Sequence, residues 1–388
     1  MSFTNRNSGS PSVMFIAGDP SGDVHAGAVV ARLKQKLPHL ECFGIGGSHM
    51  ERHGFKPLMP FAPFNRMGFV EVLCHLGFFL RAKRVLVEEM KRRCPRALVC
   101  VDYPGFNIAM MKAAHECAIP VVWYIAPKVW AWKKKRAPIL GEHATHIAAI
   151  FPFETEIFAP YNAPVTYVGN PLVEALDQRK GILEPIILDN RKARENGERR
   201  SWRLALVPGS RNQEICAILP VLLETVNRLK RERPDVSFSV RVSQRTEMPA
   251  ELYRACDEIT ERHTGPLDEL LAWCDSALVT SGTATLEAAL VGKPFVIVYR
   301  TSALSFAAYR IVRTIPFVGL PNILAGKEIV RECLQDQCRP EILAGEITAL
   351  IDSPQRYHQA EKNLQGIADM LGSLHPSRAV SEIVADLV

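Results

Sequence analysis

The ten cysteines of this chain are scattered, and no two are spaced C-x-x-C. Neither a zinc site nor a disulfide framework is therefore expected, and a reduced, cytoplasmic setting fits. No run reaches the roughly eighteen apolar residues that a spanning helix needs. The N-terminus, MSFTNRNSGSPS, is polar and followed only by the short run Val13 to Ala17, which is not a signal peptide. Walker-type G-x-x-x-x-G-K-[ST] is missing, because Lys293 is followed by Pro294. A dinucleotide fingerprint starts at Gly44 and Gly46, but His49 stands where the third glycine belongs, so NAD is not expected. There is no D-x-D metal motif, and His143 and His146 have no third residue at metal-ligand spacing. Lys133 to Arg136 adjoin Trp130 and Trp132, but no further basic-aromatic pattern follows, so nucleic acid is not expected either.

What is present points to two globular domains. A chain of 388 residues, 47% hydrophobic, exceeds one ordinary core. The net charge of +6 permits a phosphorylated ligand or an anionic membrane surface. The boundaries expected are 1–176 for the first domain, 177–203 for a charged linker, 204–353 for the second domain and 354–388 for a helical tail that crosses back to the first.

In the first half, Val13 to Ala17 reads as a buried strand, Gly18 to Asp23 as a turn and Val24 to Lys36 as a helix. Cys42 to Gly47 gives a short strand and a glycine turn, and Ala97 to Val101 is a further strand, ending at Asp102. An aspartate there lies where open α/β sheets hold ligands; its alternative role is to cap the helix expected from Ile108. The stretch 66–93 is apolar at Met67, Phe69, Leu73, Leu76, Phe78, Phe79 and Leu80, and basic at Arg81, Lys83 and Arg84. It reads either as a core helix pair or as an interfacial membrane contact.

The second half repeats the strand, turn and helix pattern twice. Leu204 to Val207 leads into Pro208-Gly209-Ser210-Arg211, and Ala277 to Val279 leads into Thr280-Ser281-Gly282-Thr283. Small residues before a helix N-terminus are where such proteins hold phosphate. Ser281 or Thr283 is suited to cap the helix there. Arg211 offers a planar, permanently charged fork to a diphosphate. Glu287 suits the hydroxyls of a ribose, unless it is simply a solvated helix glutamate.

The motifs GDPSGD (18–23), GIGG (44–47), DYPGFN (102–107), APKVWAW (126–132), FPFE (151–154), GNPL (169–172), PGSRNQEI (208–215), SGTATLE (281–287), LPNILAG (320–326) and ECLQ (332–335) run in order along nearly the whole chain. Together they resemble the lipid-A-disaccharide synthase family of GT-B glycosyltransferases. The resemblance implies an α/β GT-B fold, two Rossmann-like domains facing across a cleft. It implies transfer of 2,3-diacylglucosamine from UDP-2,3-diacylglucosamine to 2,3-diacylglucosamine 1-phosphate, with a β-1,6 link and release of UDP. It needs neither a metal nor another cofactor. Asp102 is the first choice as base, with Asp19 and Asp23 behind it. Ser210, Arg211, Gly282, Thr283, Glu287, Asn322 and Gln335 are expected on the UDP side, and Ser21, Met67, Phe78 and Phe79 on the acceptor and lipid side. The enzyme would work in the cytoplasm, peripherally attached to the inner membrane of a Gram-negative bacterium. The family usually carries glutamate at Asp19, histidine at Asn170 and proline at Arg331; Asn170 keeps hydrogen bonding but cannot titrate. The rival expectations are a UDP-N-acetylglucosamine 2-epimerase on the same fold and a non-catalytic nucleotide-binding membrane adaptor.

Overall fold

The computed structural model describes residues 11–64, 76–131, 134–161, 164–195, 201–244, 249–301 and 315–388. The chain divides into two compact units, Met1–Glu174 with Ser373–Val388, and Ala175–Gly372.

The first unit is built on a parallel sheet. Its strands are β1 (Ser12–Ala17), β2 (Glu41–Ile45), β3 (Phe55–Pro57), β4 (Ala97–Val101), β5 (Val121–Tyr124), β6 (His146–Ala149) and β7 (Val165–Tyr167), in the order β3-β2-β1-β4-β5-β6-β7. Every residue of β1, β4 and β5 is buried, as expected where helices cover both faces and the strands read as unbroken apolar runs. Helices α1 (Pro20–Lys36), α2 (Ser48–Glu51), α3 (Leu76–Arg93), α4 (Pro104–Glu116), α5 (Arg136–His143), α6 (Glu154–Phe158) and α7 (Pro171–Gln178) link them. Chain order reverses between β1 and β4. Their carboxyl ends deliver Asp19 and Asp102 to this switch point, where doubly wound sheets bind ligands.

The second unit repeats the design. Strands β8 (Ser201–Val207), β9 (Ser237–Ser243), β10 (Glu261–His263), β11 (Ser276–Thr280), β12 (Phe295–Tyr299) and β13 (Glu332–Leu334) pair in parallel in the order β10-β9-β8-β11-β12-β13. Helices α8 (Lys180–Glu195), α9 (Asn212–Glu232), α10 (Ala250–Ile259), α11 (Leu267–Trp273), α12 (Thr283–Val291), α13 (Leu320–Ala325), α14 (Pro340–Asp352) and α15 (Pro354–Leu371) surround it. Its switch point lies between β8 and β11.

Some boundaries differ from expectation. The turn after β1 is shorter than Gly18 to Asp23, because Pro20 opens α1 and Asp19 caps it by accepting from the Gly22 N–H at 2.8 Å. Proline is preset for a helix's first position and has no N–H to leave unpaired. Pro104 likewise starts α4 four residues before Ile108. The segment expected as a linker carries α8, whose Asn190 side chain donates to the Cys274 carbonyl at 2.8 Å inside the second unit. The tail divides. Helix α15 belongs to the second unit, and only α16 (Pro376–Ala385) packs with the first, burying Val380 and Val384 beside Val29 and Val30.

Met67, Phe69, Val70, Val72 and Leu73 lie outside the described residues. Phe78 and Phe79 open α3 and pack edge-on against Phe64, with ring centroids 5.0 and 6.0 Å away. Both are partly buried against the core, so they are not freely available for lipid. Leu80 is the exposed apolar residue there, at 60%.

Candidate active site

Asp102 follows β4 with a left-handed backbone, φ 44°, and Tyr103 continues it at φ 53°. Two successive non-glycine residues in this sparsely populated region persist only where surroundings hold them, and such strain concentrates at functional sites. The surroundings are identifiable. The Asp102 N–H donates to the Tyr124 carbonyl at 2.9 Å. Buried Asn107 donates through Nδ2 to the carbonyls of Asp102 at 2.8 Å, Ile16 at 3.2 Å and Val101 at 3.4 Å. Asn107 thus ties together the ends of the two switch-point strands. The Tyr103 ring lies flat on Gly18, where an added Cβ would come within 2.6 Å of it, and its hydroxyl donates to the Phe64 carbonyl at 2.9 Å.

The Asp102 carboxylate does not cap α4, whose N-cap is Tyr103 without a side-chain bond. Burial, reinforced by the nearby charge of Asp19, pushes its pKa up to about 6; Lys128, the Tyr103 N–H and Arg136 pull the other way. A carboxylate poised just below neutrality is suited to accept a proton.

The other candidates in this unit have different surroundings. Asp19 caps α1. Asp23 is 3% exposed, and its carboxylate accepts from the N–H groups of Gly47 at 2.7 Å, His49 at 3.0 Å and Met50 at 3.2 Å. It caps α2 from a distant part of the chain, which removes it from the list of bases. Ser21 is exposed, with its hydroxyl 3.1 Å from His25 Nε2. Asn170 caps α7, accepting from the Leu172 N–H at 3.0 Å and donating to the Ile150 carbonyl at 3.2 Å.

In the second unit, Gly209 has φ 108°, and a Cβ there would sit 2.8 Å from Glu214 Oε2. This room lets Glu214 fold back. It accepts from the Arg211 guanidinium at 2.9 Å, while that side chain stays 81% exposed. Arg211 is therefore steered without being buried, at the N-cap of α9. After β11, Gly282 is the N-cap of α12, and no side-chain cap hydrogen bond is present. The expectation that Ser281 or Thr283 caps it is corrected: the Ser281 hydroxyl donates to the Val318 carbonyl at 3.0 Å, and Thr283 is not a cap. Its first N–H groups and its dipole therefore point to the switch point. Thr283 is exposed there, and Glu287 is half-buried one turn on. Ser210 lies beside Arg211 in the β8 turn.

Asn322 and Gln335 shape the unit from within. Asn322, 0% exposed, donates to the Val330 carbonyl at 2.7 Å and to Glu332 at 2.9 Å, and accepts from the N–H groups of Ile329 and Val330 at 2.9 Å. Glu332 in turn accepts from the Gly319 N–H at 2.9 Å. The Gln335 amide clamps Thr301, accepting from its N–H at 3.0 Å and donating to its carbonyl at 3.2 Å. Asn322 thus fixes the loop before β13, and Gln335 fixes the chain after β12.

Three residues escaped the sequence reading. Asn107 is one. Thr280 is another: its buried hydroxyl, at the carboxyl end of β11, has no partner among the described residues. The third is Glu154, fully buried, which accepts from Trp130 Nε1 at 3.0 Å and from the N–H groups of Ile150 and Phe151 at 3.1 Å. Burial pushes its pKa up to about 7 against those hydrogen bonds and Lys128. It fastens Trp130, two residues after Lys128, whose charge acts on both Glu154 and Asp102.

Solved structures show the same fold. The chain matches a UDP-N-acetylglucosamine 2-epimerase from Neisseria meningitidis bound to UDP-GlcNAc with a TM-score of 0.60, 13% identity and coverage of 97% of this chain and 99% of that one. It matches the calicheamicin glycosyltransferase CalG4 with a TM-score of 0.58, 15% identity and coverage of 97% and 98%. Two Rossmann-like units with this topology define a GT-B-type α/β protein. The fold alone leaves epimerase and transferase open. The model of the family described as lipid-A-disaccharide synthetase matches residues 13–381. A lipid-A-disaccharide synthase of Trichlorobacter lovleyi is 31% identical over 383 residues, covering 97% of each chain. The chain belongs to the lipid-A-disaccharide synthase family, and it is a glycosyltransferase.

Proposed function

We propose that the chain transfers 2,3-diacylglucosamine from its UDP derivative to the 6-hydroxyl of 2,3-diacylglucosamine 1-phosphate, with inversion at the anomeric carbon. Asp102 accepts the hydroxyl proton as oxygen attacks, and UDP departs from the opposite face. The observation that carries this reading is the Asp102 carboxylate itself, strained, desolvated and not engaged as a helix cap, at a sheet switch point. Asp19 keeps it from ionising too readily. In the second unit, Arg211 and the backbone N–H groups opening α12 neutralise the diphosphate as it separates, and Glu287 meets the ribose. Ser210, Gly282 and Thr283 shape the approach of the phosphates. Asn322 and Gln335 act one step back, by fixing the loops around it.

Both substrates carry acyl chains. Among the described residues, no helix is long and apolar enough to cross a membrane. The proposed contact is peripheral, through exposed Leu80 with Arg81 and Arg84 on α3, at the cytoplasmic face of the inner membrane.

Mass spectrometry of the product from UDP-diacylglucosamine and diacylglucosamine 1-phosphate tests the reading. A β-1,6 disaccharide 1-phosphate with stoichiometric UDP supports it. Epimerised UDP-sugar, or binding without turnover, overturns it.

A further inference from the structure

The amino end of the second unit's sheet carries a pocket unrelated to either switch point. Its volume is about 390 Å³. Among the described residues, its lining includes four cations, Arg191, Arg194, Lys293 and Lys362, and one carboxylate, Glu361. They come from three separate places, the end of α8, the turn between α12 and β12, and the middle of α15. The UDP-side turns follow the carboxyl ends of β8 and β11. Lys293 precedes β12, at the opposite edge of the same parallel sheet.

Lys293 is the unusual member. It is 4% exposed. Among the described residues, none hydrogen-bonds or ion-pairs with its ammonium, although the side chain lines the pocket. Burial holds its pKa below the ordinary lysine value; Cys274, Asp275 and Glu361 pull it back up, and Arg194 pushes it further down. Glu361 is already shared, lying 3.6 Å from Arg194 and 3.1 Å from His358. Arg194 is held in place over the Tyr357 ring, 4.0 Å from its centroid. The carbonyl end of α12 faces Lys293 with partial negative charge only. A lysine with no binding role would be expected to extend its stem to water. Here a nearly buried lysine shares a pocket with a fixed guanidinium and two further cations against one lining carboxylate that is already engaged, so positive charge stays in excess until a further anion joins it.

We infer that this pocket is a binding site for a phosphate group, held by Lys293 and Arg194 with Arg191 and Lys362 at its mouth. The phosphate can be free or the headgroup of a phosphomonoester lipid, and the two sources are separable. The inference is independent of the donor and acceptor assignments above.

The test uses the full chain with saturating UDP present, so that the donor side is already filled. Inorganic phosphate is titrated while the melting temperature is followed. Phosphatidylcholine vesicles with and without phosphatidic acid are tested by co-sedimentation. Lys293→Met keeps length and removes the charge; Arg191→Ala changes an exposed residue and leaves the buried one untouched. Loss of one charge-assisted contact is expected to weaken the response roughly tenfold in each variant. Stabilisation by inorganic phosphate that falls in both variants supports the site with a free ligand. Phosphatidic-acid-dependent sedimentation that falls in both, with no response to inorganic phosphate, supports it with a lipid headgroup. No response from wild type to either probe, or responses equal in wild type and Arg191→Ala, overturns it.

Discussion

The two sheet switch points use the same backbone plan for opposite electrostatic ends. At the β1–β4 point, a carboxylate is withdrawn from water, held in left-handed backbone and left close to neutral pH. At the β8–β11 point, Glu214 is structural and steers Arg211, while Glu287 stands one turn into α12, where its proposed partner is the ribose. What faces outward there is a cation and an uncapped helix N-terminus. A base needs desolvation and a neighbouring like charge. A diphosphate site needs oriented N–H groups and a permanent cation. One scaffold supplies both because the chemistry sits in the turns.

The sharpest way to break the contrast is Asp102→Asn. Turnover should fall roughly 10²–10⁴-fold, as loss of general-base help does, while UDP affinity stays unchanged in calorimetry. Near-normal turnover would move the base to Asp19. The same variant has a stability signature. The folded protein binds the Asp102 proton more tightly than the unfolded chain does, with the pKa raised from 3.8 to about 6. That contribution favours folding below 3.8 and is lost as pH rises through about 6. Above pH 6 the asparagine variant should therefore be more stable than wild type, by about 1–2 kcal/mol after allowing for solvent screening, visible as a higher denaturant midpoint. In wild type, kcat/KM should climb with pH through about 6 on its acid limb.

Arg211→Ala and Glu287→Ala test the other side. Each should weaken UDP binding roughly tenfold, from about 1.5–3 kcal/mol per charge-assisted contact. Unchanged affinity in both would dissolve the contrast between the two points. Asn322→Ala sharpens it instead. It should cost about 2–3 kcal/mol of stability, because buried partners lose their bonds, visible as a lower denaturant midpoint. If UDP affinity falls far more than stability does, Asn322 touches the nucleotide after all. Leu80→Ser carries the smallest effect, a few-fold loss in vesicle binding, since one exposed leucine contributes less than its full-burial value of about 1.5–3 kcal/mol. Phe78→Ser with Phe79→Ser is a poorer membrane probe, because it also opens the core around Phe64 and should destabilise the fold.

Much of this was legible in the residues. Buried strands such as Ala97 to Val101 are apolar throughout, and the small-residue turns at 208–211 and 280–283 mark helix entries. Asp102 stood out because it ends such a strand. The function of Asp23 was not legible, since the N–H groups it accepts from, at 47, 49 and 50, are brought beside it only by the β1–β2 pairing. The bonds of Asn322 and Gln335 were hidden for the same reason: apart from the Glu332 carboxylate, their partners are backbone atoms of other loops, which carry no sequence signature. The starts of α1 and α4 were readable from Pro20 and Pro104, had proline been weighed as a first helical residue rather than as a turn.

The return of α16 to the first unit sets an order of events during synthesis. The ribosome releases Glu174 long before Ser377, yet the Glu174 carboxylate accepts from the Ser377 N–H at 3.0 Å in the finished protein. All of Ala175–Gly372 is made in between, an interval of about 10–40 s at about 5–20 residues per second. The unit translated first is therefore completed last. Throughout that interval the face of α1 that receives Val380 and Val384 remains uncovered, and the nascent chain's exposure to chaperones and proteases is greatest at its oldest end.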